Sequence, residues 1–372
     1  MKLLPIAIAT TFVVAGCSTG SDSAHKDSAA GSAQSGGAAA ATAAAPSDAQ
    51  LTGAGATFPA PIYQKWFADY AAKTGVKINY QPIGSGGGIR QLSEQTVDFG
   101  ASDAPMSDDE MSKAKGGAIL HFPTVLGAVV ITYNVPGVTQ SLRLTGDVVA
   151  DIFLGQVTKW NDPKITALNP GVKLPSMDIL VVHRADASGT NYIFTDYLSA
   201  VSPAFASAPG KGKEVKWPVG LGAKGNDGVT GQVKQTPGAL GYVELAYAKQ
   251  NKLPYALLKN AAGQFVAPTI ESVTAAAAGA AKALPATTDF RVSIVNAPGR
   301  EAYPISSFTW LLVYANQTDA TKAKKLIDFM RWAFHDGERS ASSLDYAPLP
   351  ANMVGMIDKR LTTIKVGTVG MR

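Results

Sequence analysis

From residue 51 onward, the spacing of hydrophobic positions changes repeatedly between that of a strand and that of a helix. The first helical stripe places aromatic residues at i, i+3, i+4 and i+7, namely Tyr63, Trp66, Phe67 and Tyr70. Apolar residues alternate over 76–82, which predicts a strand. Further strands are predicted over 97–101, 122–133, 178–183 and 310–314, with helical segments between them. This alternation predicts an α/β fold whose sheets are mainly parallel.

Three turns rich in small residues separate a predicted strand from a predicted helix, at 54–58, 84–88 and 188–190. In α/β proteins, ligands gather at the carboxyl ends of the strands. A helix that begins there also presents free backbone N–H groups and the positive end of its dipole. Since all three turns carry a hydroxyl side chain, they indicate a ligand site. Taken alone, the glycine turn 84–88 is better explained as a flexible connection, and it lacks the Gly-Lys-Ser/Thr ending of a P-loop.

The segment 183–191, HRADASGTN, combines one permanent cation with a hydroxyl-rich helix start. Arg184 carries a planar fork of donors that matches a tetrahedral oxyanion. Residues 188–190 open a predicted helix, where N–H groups and hydroxyls can face an anion. Together these groups suit a small, doubly charged anion. The same residues are also explained by an N-capped helix beside a surface ion pair between Arg184 and Asp186.

Asp103 stands just after the predicted strand over 97–101, where a carboxylate would repel most anions. Hydrogen phosphate is an exception, because near neutral pH it carries a proton that a carboxylate can accept. Sulfate has no such proton, so a carboxylate in the site would discriminate against it. A cap on a turn or helix is the other interpretation of Asp103.

Composition and motifs argue against several classes of function. The 372-residue chain is 46% hydrophobic and 16% charged, and its net charge of +5 forms no basic stripe, so nucleic-acid binding is not expected. The histidines of the structured part have no metal-ligand spacing and no cysteine support, so no metal or other cofactor is expected. No Gly-x-Ser-x-Gly elbow or Ser-His-Asp set indicates a hydrolase. The segment GLGAKG at 220–225 matches GxGxxG but follows no convincing strand, and we expect a tight surface loop before a helix starting near Asn226.

The N-terminus has the features of a bacterial lipoprotein leader. Lys2 precedes an apolar run over 3–14 that is too short to cross a bilayer as a mature helix. The sequence VAGC then places Cys17, the only cysteine, at the cleavage point of a lipobox. We therefore predict a signal peptide over 1–16 and lipidation of Cys17, with an ordinary secretory leader as the alternative. Residues 17–50 are rich in Ser, Gly and Ala, which predicts a flexible tether.

Seven stretches carry a resemblance to a known family. They are LTGAGATFPAPIYQKW (51–66), IGSGGG (83–88), VDFGASDAPMS (97–107), RADASGT (184–190), GLGAKGNDGV (220–229), PGALGYVE (237–244) and LDYAPLP (344–350). In them the chain resembles the extracytoplasmic phosphate-binding proteins that serve the high-affinity phosphate ABC importer. The resemblance runs from residue 51 to the last helix, and several stretches are long and chemically unusual enough to make it specific.

The resemblance implies a two-lobed periplasmic-binding-protein fold, in which two α/β lobes are joined by extended hinge crossovers and close on the anion. Lobe I would comprise 51–126 and 302–372, and lobe II would comprise 131–298. The residues implied to bind phosphate are Thr57, Phe58, Ser85, Asp103, Arg184, Ser188, Gly189 and Thr190. Of these, Asp103 would accept the proton of the phosphate, while Asp186 would hold Arg184 in place from outside the site.

The resemblance thus implies a membrane-anchored lipoprotein, periplasmic or at the cell surface, that captures inorganic phosphate. It would deliver the phosphate to an ABC permease and its ATPase, as a monomer that binds and releases its ligand without catalysis. Three alternatives stay open at this point. They are a receptor for another tetrahedral oxyanion, a phosphate-ester hydrolase that uses the same pocket, and a surface protein whose pocket is vestigial.

Overall fold

The computed structural model describes residues 50–285 and 287–367. The predicted signal peptide, Cys17 and nearly all of the predicted tether lie outside these residues, so their assignments stay predictions. Within the described ranges, no helix is both long enough and apolar enough to span a membrane.

The strands of the described chain are mostly short and are interleaved with helices. They are β1 (Leu51–Gly55), β2 (Ile78–Gln81), β3 (Phe99–Ser102), β4 (Ile119–Tyr133), β5 (Arg143–Leu144), β6 (Leu180–Arg184), β7 (Leu221–Ala223), β8 (Ala239–Glu244), β9 (Leu257–Lys259), β10 (Phe265–Val266), β11 (Ser306–Tyr314), β12 (Asn316–Gln317) and β13 (Lys365–Val366). Every strand that the hydrophobic pattern predicts is confirmed, with its ends shifted by a few residues.

The helices lie between these strands. They are α1 (Ala60–Thr74), α2 (Ser85–Ser93), α3 (Asp108–Ser112), α4 (Gly146–Phe153), α5 (Pro163–Thr166), α6 (Gly189–Val201), α7 (Pro203–Ser207), α8 (Gly225–Gln235), α9 (Leu245–Gln250), α10 (Ile270–Ala283), α11 (Ala320–His335) and α12 (Ala351–Leu361), with short 3-10 helices at Gly337–Ser340 and Ser342–Leu344. The aromatic stripe predicted for α1 is buried along its whole length, which confirms that helix.

The glycine segment 84–88 is not the turn that the sequence predicts. Gly84 is the N-cap, with φ at 90°, and the following residues already form the first turn of α2. The helix can begin there because its small residues allow close packing, since a Cβ on Gly88 would lie 2.4 Å from the carbonyl oxygen of Ala54. The N-terminus of α2 is therefore pressed against the end of β1.

Eight strands form one mixed sheet in the order β2-β1-β3-β11-β4-β8-β6-β7. The pairs at both flanks are parallel, whereas β3–β11, β11–β4 and β4–β8 are antiparallel. The prediction of mainly parallel sheets is therefore wrong for the centre of the sheet. The reason is that a strand buried on both faces shows a continuous apolar run whichever way it points, so the pattern does not encode its direction.

β4 belongs to both halves of this sheet. Its residues 119–128 pair with β11, and residues 129–133 pair with β8. The change of partner falls inside the gap that separates the two predicted lobes in the sequence, between residues 126 and 131. A strand that changes partner at that point suits a crossover between lobes, and the lobe limits themselves stay a prediction.

Aromatic packing holds α1 against the first half of the sheet. The ring of Tyr63 meets that of Tyr80 edge-on with centroids 5.7 Å apart, and the ring of Phe67 lies 6.1 Å from that of Phe99. The indole nitrogen of Trp66 donates to the carbonyl oxygen of Gly337 over 2.8 Å, which satisfies the only polar atom of this buried side chain. This rigid packing supports the carboxyl ends of β1 and β3.

Candidate functional site

The predicted site residues lie at the carboxyl ends of three strands and at the N-termini of two helices. β1 leads into Thr57, β3 leads into Asp103, and β6 ends at Arg184. α2 begins at Ser85, and residues 188–190 cap and open α6. All of these residues are buried. The structure therefore brings the three predicted turns together, as expected for ligand sites of α/β proteins.

The Ser85 hydroxyl joins two of these elements. Its oxygen accepts hydrogen bonds from the backbone N–H of Gly189 at 3.0 Å and from that of Asp103 at 3.2 Å. The Ser85 hydroxyl in turn donates to the Oδ2 atom of Asp103 over 3.4 Å. Since a hydroxyl accepts two hydrogen bonds and donates one, both acceptor positions of Ser85 are occupied and its hydrogen makes the long bond to Asp103.

Gly189 begins α6 at a point where a side chain would not fit. A Cβ there would lie 2.4 Å from the Ser85 hydroxyl and 2.7 Å from the backbone nitrogen of Asp103. Ser188 caps the helix, because its hydroxyl accepts from the N–H of Asn191 at 3.0 Å. The predicted N-cap is thus confirmed, and the first N–H groups of α6 have no acceptor within the helix.

Asp103 presents a buried carboxylate to this cluster. The Thr309 hydroxyl donates to its Oδ1 atom over 2.8 Å. Burial raises the pKa of Asp103 to about 7, although the Thr309 hydroxyl, the charge of Arg184 and the Ser85 hydroxyl all act to lower it. Near neutral pH, a donor placed against this carboxylate would therefore be strongly favoured. Thr309 was not predicted, because its place depends on β11 lying beside β3.

Arg184 is held by Asp186 in a two-pronged ion pair. Its Nε donates to Oδ1 over 2.7 Å, and its Nη2 donates to Oδ2 over 2.5 Å. The two side chains are only 1% and 11% exposed, so the interpretation as a surface ion pair is wrong. Among the described residues, the buried Nη1 of Arg184 has no hydrogen-bond partner. A buried N–H without an acceptor is costly, so Nη1 marks a place for an anion.

Asp186 lies against the guanidinium of Arg184. It also accepts from the backbone N–H of Gly225 at 3.1 Å, at the start of α8. Burial raises the pKa of Asp186, but the hydrogen bonds and the charge of Arg184 outweigh burial, so the pKa lies below its usual value. The ionised carboxylate therefore fixes one edge of the guanidinium and offsets its charge.

The hydroxyls of Thr57 and Thr190 meet at a residue that the sequence reasoning did not select. The side-chain Nδ2 of Asn226 donates to the Thr57 Oγ1 over 2.9 Å and to the Thr190 Oγ1 over 3.1 Å. The Tyr247 hydroxyl holds the Thr57 carbonyl oxygen over 2.6 Å. Phe58 follows Thr57, and its ring packs towards that of Tyr346. Only the backbone of Phe58 can therefore contribute to the site.

The sequence around Asn226 predicts the helix that carries it but not its place in the site. Asn226 lies in the stretch GLGAKGNDGV, where the sequence predicts a surface loop followed by a helix. The helix is confirmed, since α8 begins at Gly225. The loop is not, because residues 221–223 form edge strand β7 beside β6. A parallel strand leading into a helix is the same arrangement that delivers the other site residues.

These groups together suit a small oxyanion with one proton. The hydroxyls and the helix N-termini supply donors, Arg184 supplies a positive charge, and Asp103 supplies an acceptor. Two cavities flank the cluster, one of about 190 Å³ that reaches Asp103 and one of about 400 Å³ that reaches Thr57. Within the described ranges, no three His, Cys, Asp or Glu side chains are grouped to hold a metal ion.

Similarity to known proteins agrees with this geometry. A family model described as a PBP superfamily domain matches residues 40–336, and the predicted periplasmic-binding-protein fold is confirmed. The phosphate-binding protein PstS of Xylella fastidiosa (strain Temecula1 / ATCC 700964) is 47% identical over 314 residues, which are 83% of this chain and 84% of that protein. The phosphate-binding protein PstS of Pasteurella multocida (strain Pm70) is 45% identical over 314 residues, covering 84% of this chain and 90% of that protein.

Solved structures show the same fold. A phosphate-binding protein from Stenotrophomonas maltophilia superposes with a TM-score of 0.66 at 21% identity, covering 84% of this chain and 93% of that one. The fold, the matched family model and the identity to the curated relatives lead to one assignment. The chain belongs to the PBP superfamily and, within it, to the family of the phosphate-binding proteins PstS.

Proposed function

We propose that this protein binds inorganic phosphate outside the cytoplasm and delivers it to an ABC importer. The observation that carries the proposal is the position of the Asp103 carboxylate, which lies 3.4 Å from the Ser85 hydroxyl in a cluster otherwise made of donors. A ligand that fits there must accept many hydrogen bonds and donate at least one. Hydrogen phosphate has that combination, and sulfate lacks the donor.

The charge of the site also suits phosphate. Arg184 directs its buried Nη1 away from Asp186 without a partner among the described residues, so an anionic oxygen would satisfy it. The N-terminus of α6 adds backbone donors and a positive dipole end. Asp186 cancels part of the positive charge, so affinity would come from hydrogen bonds as much as from net charge.

Binding would be coupled to closure of the two predicted lobes. Residues 57–103 and residues 184–190 fall in different predicted lobes, and they already contact each other through the bond between Ser85 and Gly189. A ligand that contacts both sets of residues stabilises the closed state over the open one. The closed form would then be the one that docks on the permease and its ATPase. Relatives of 45–47% identity are named phosphate-binding proteins, which supports this role.

The proposed role involves no bond making or breaking. In the described part of the chain, the imidazole of His121 accepts from the N–H of Met106, and that of His183 pairs with the carbonyl of Arg184. The third described histidine, His335, pairs with Asp358. None of the three is hydrogen-bonded to a site hydroxyl, so no nucleophile of the Ser-His kind is activated among the described residues. The phosphate-ester hydrolase is therefore the less favoured interpretation. An assay of p-nitrophenyl phosphate hydrolysis, expected to show no turnover, separates the two.

Calorimetric titration of the full-length chain tests the proposal. The protein would be kept in mild detergent, stripped of bound ligand, and titrated with phosphate and then with sulfate. We expect tight one-to-one binding of phosphate and no heat from sulfate. Comparable heats from both anions would indicate a general oxyanion receptor, and no heat from either in a folded sample would contradict the proposal.

The Arg184→Ala variant sharpens the same experiment. We expect it to abolish tight binding, because the buried guanidinium is the principal positive charge of the site. The matched control is Arg331→Ala, since the Arg331 side chain is 54% exposed on α11. A phosphate affinity of Arg184→Ala within about threefold of the wild type, less than 1 kcal/mol, would contradict the role of Arg184.

The membrane anchor is a separate part of the proposal. The leader sequence supports lipidation at Cys17, which would tether the protein outside the cytoplasm. Metabolic labelling with an alkyne fatty acid is expected to mark the wild type and not a Cys17→Ser variant. Equal labelling of both would contradict the anchor without affecting the phosphate site.

A further inference from the structure

Asn226 is the second residue of α8 and is fully buried between the two threonines of the site. Its amide is oriented by the backbone. The N–H of Glu244 donates to the side-chain Oδ1 of Asn226 over 3.0 Å. Because Oδ1 faces that donor, the NH₂ group must face the hydroxyls of Thr57 and Thr190, to which it donates over 2.9 and 3.1 Å.

The hydrogen bonds leave the Thr57 hydroxyl with a single possible role. Its oxygen accepts from the Asn226 side chain and also from the Asn226 backbone N–H, at 3.2 Å. A hydroxyl has two acceptor positions and one hydrogen, so both acceptor positions of Thr57 are occupied. The hydrogen is left to donate to whatever lies in the site.

Ser85 follows the same pattern through different partners. Its oxygen accepts from the N–H groups of Gly189 and Asp103, so the hydroxyl can only donate, and in this structure it donates to Oδ2 of Asp103 over 3.4 Å. Thr190 has one acceptor position taken by Asn226. The site thus commits the Thr57 and Ser85 hydroxyls to donation and biases the Thr190 hydroxyl towards it. An anion then meets hydrogens instead of lone pairs that would repel it.

On the proposed phosphate-binding function, we propose that Asn226 is a positioning residue that sets the Thr57 and Thr190 hydroxyls as donors to the anion. Asn226 acts through these hydroxyls and needs no contact with the ligand. With the hydroxyls committed to donation, Asp103 is left as the acceptor of the site. The site would then favour a ligand that offers one proton to Asp103 and accepts hydrogen bonds from the oriented hydroxyls.

A double-mutant cycle between Asn226→Asp and Thr57→Val tests this role in the full-length chain. Asp at position 226 can still accept from Glu244, but its second oxygen accepts from Thr57 and draws the hydroxyl hydrogen away from the ligand. In the wild type, Thr57→Val removes a hydrogen bond to an anion, so we expect phosphate affinity to fall about 10- to 100-fold. In the Asn226→Asp background, the same change is expected to cost less than about twofold.

The cycle separates positioning from simple charge repulsion. An aspartate that only repels the anion would weaken binding by a constant factor, and Thr57→Val would then cost the same in both backgrounds. Such additivity would overturn the inference. If Asn226→Asp does not fold, as judged by its thermal unfolding, the neutral Asn226→Leu runs the same cycle. There the backbone N–H of residue 226 still donates to the Thr57 oxygen, but the acceptor position that the Asn226 amide filled is vacant, so the hydroxyl is less committed to donation. We expect a smaller cost of Thr57→Val than in the wild type, with an equal cost again overturning the inference.

The matched control is Asn169→Asp. Asn169 is also buried, and its amide donates to the carbonyl oxygens of Arg143 and Ile165, so its hydrogen bonds among the described residues lie away from the site. We expect Thr57→Val to cost the same in this background as in the wild type. A wild-type chain that binds no phosphate would overturn the proposed function and this inference with it, whereas wild-type binding with an additive cycle overturns the inference alone.

Discussion

The backbone N–H of Gly189 donates to the Ser85 hydroxyl over 3.0 Å, although the two residues are 104 positions apart in the chain. The bond joins the first residues of α2 and α6, so two helix N-termini point at one place. Opposed N-termini repel each other unless negative charge lies between them. The closeness of these two residues is therefore what the proposed anion site requires.

Gly189→Ala should weaken phosphate binding without unfolding the protein. The added Cβ would lie 2.4 Å from the Ser85 hydroxyl, which is closer than a carbon atom and an oxygen atom that are not bonded can approach. Overpacking of this kind costs about 1–3 kcal/mol, so we expect an affinity about 5- to 150-fold lower. Calorimetric titration measures it.

The control for this substitution is Gly231→Ala, in the helix α8. A Cβ at Gly231 meets nothing within 4 Å, and alanine favours a helix over glycine. Gly231→Ala should keep full affinity and raise the thermal unfolding temperature slightly. Equal affinities of the two variants would show that the contact between Gly189 and Ser85 has no part in binding.

Asp103→Asn should change selectivity more than it changes phosphate affinity. Asparagine can keep the bond from Thr309 through its carbonyl oxygen, and it adds an N–H that a fully ionised anion can accept. Competition between phosphate and sulfate is the measurement. We expect the ratio of sulfate affinity to phosphate affinity to rise about tenfold or more, which corresponds to one hydrogen bond to a charged group. A variant that rejects sulfate as strongly as the wild type would refute the proton-reading role of Asp103.

The helix and strand elements are predictable from sequence because they depend on short segments. The aromatic stripe of α1 and the cap at Ser188 are properties of neighbouring residues, and both are confirmed. The order and direction of strands depend on distant contacts. β11 lies between β3 and β4, and its Thr309 reaches Asp103 across 206 positions of sequence. No local pattern predicts that contact.

The candidate site likewise has residues that local sequence predicts and residues that only distant contacts reveal. Arg184 and residues 188–190 stand out in the sequence because a cation and a helix start lie side by side. Asn226 does not stand out in the sequence, because its role depends on a contact with Thr57, 169 positions away. Sequence reasoning therefore finds the groups that open helices at strand ends. The side chains that orient those groups come from elsewhere in the chain and need the fold.

Lys213→Met should speed the release of phosphate. The side-chain ammonium of Lys213 lies 2.6 Å from Oε1 of Glu110 on α3. The backbone carbonyl oxygen of Lys213 accepts from the N–H of Ser188 at 3.0 Å. The ion pair thus connects the loop around Lys213, which contacts the start of α6, to α3 on the opposite side of the site. Partly exposed pairs are worth about 0.2–1 kcal/mol, so we expect a dissociation constant about 1.5- to 5-fold higher.

Stopped-flow release at two salt concentrations checks this ion pair. The difference between Lys213→Met and the wild type should shrink at high salt, because the lost interaction is electrostatic. Lys113→Met is the control, since Lys113 pairs with Asp109 on the exposed face of the same helix. A release rate of Lys213→Met equal to that of the control at low salt would refute the tie.

Glu244→Gln should remove a pH dependence of folding stability. Glu244 is fully buried, and its Oε2 accepts from the Tyr346 hydroxyl at 3.0 Å, while its Oε1 has no partner among the described residues. Burial raises the pKa of Glu244 well above its ordinary value of 4.5, although the bonds from Tyr346 and the Ala246 N–H lower it. The folded chain therefore holds a proton that the unfolded chain releases.

The sign of the effect follows from that proton. The stability that depends on it is fully present below pH 4.5, the ordinary value, and is lost as the pH rises towards the folded pKa. One pKa unit is worth about 1.4 kcal/mol, so the wild type should lose at least about 1 kcal/mol between pH 4.5 and pH 8 relative to Glu244→Gln. Chemical denaturation at pH 4.5, 6 and 8 measures the free energy of unfolding. The control is Asp109→Asn, because Asp109 is an exposed carboxylate on α3. Its free energy of unfolding should change with pH as that of the wild type does. If Glu244→Gln also follows the wild type, the buried carboxyl is not protonated in the folded protein, and its unpartnered oxygen must be satisfied in another way.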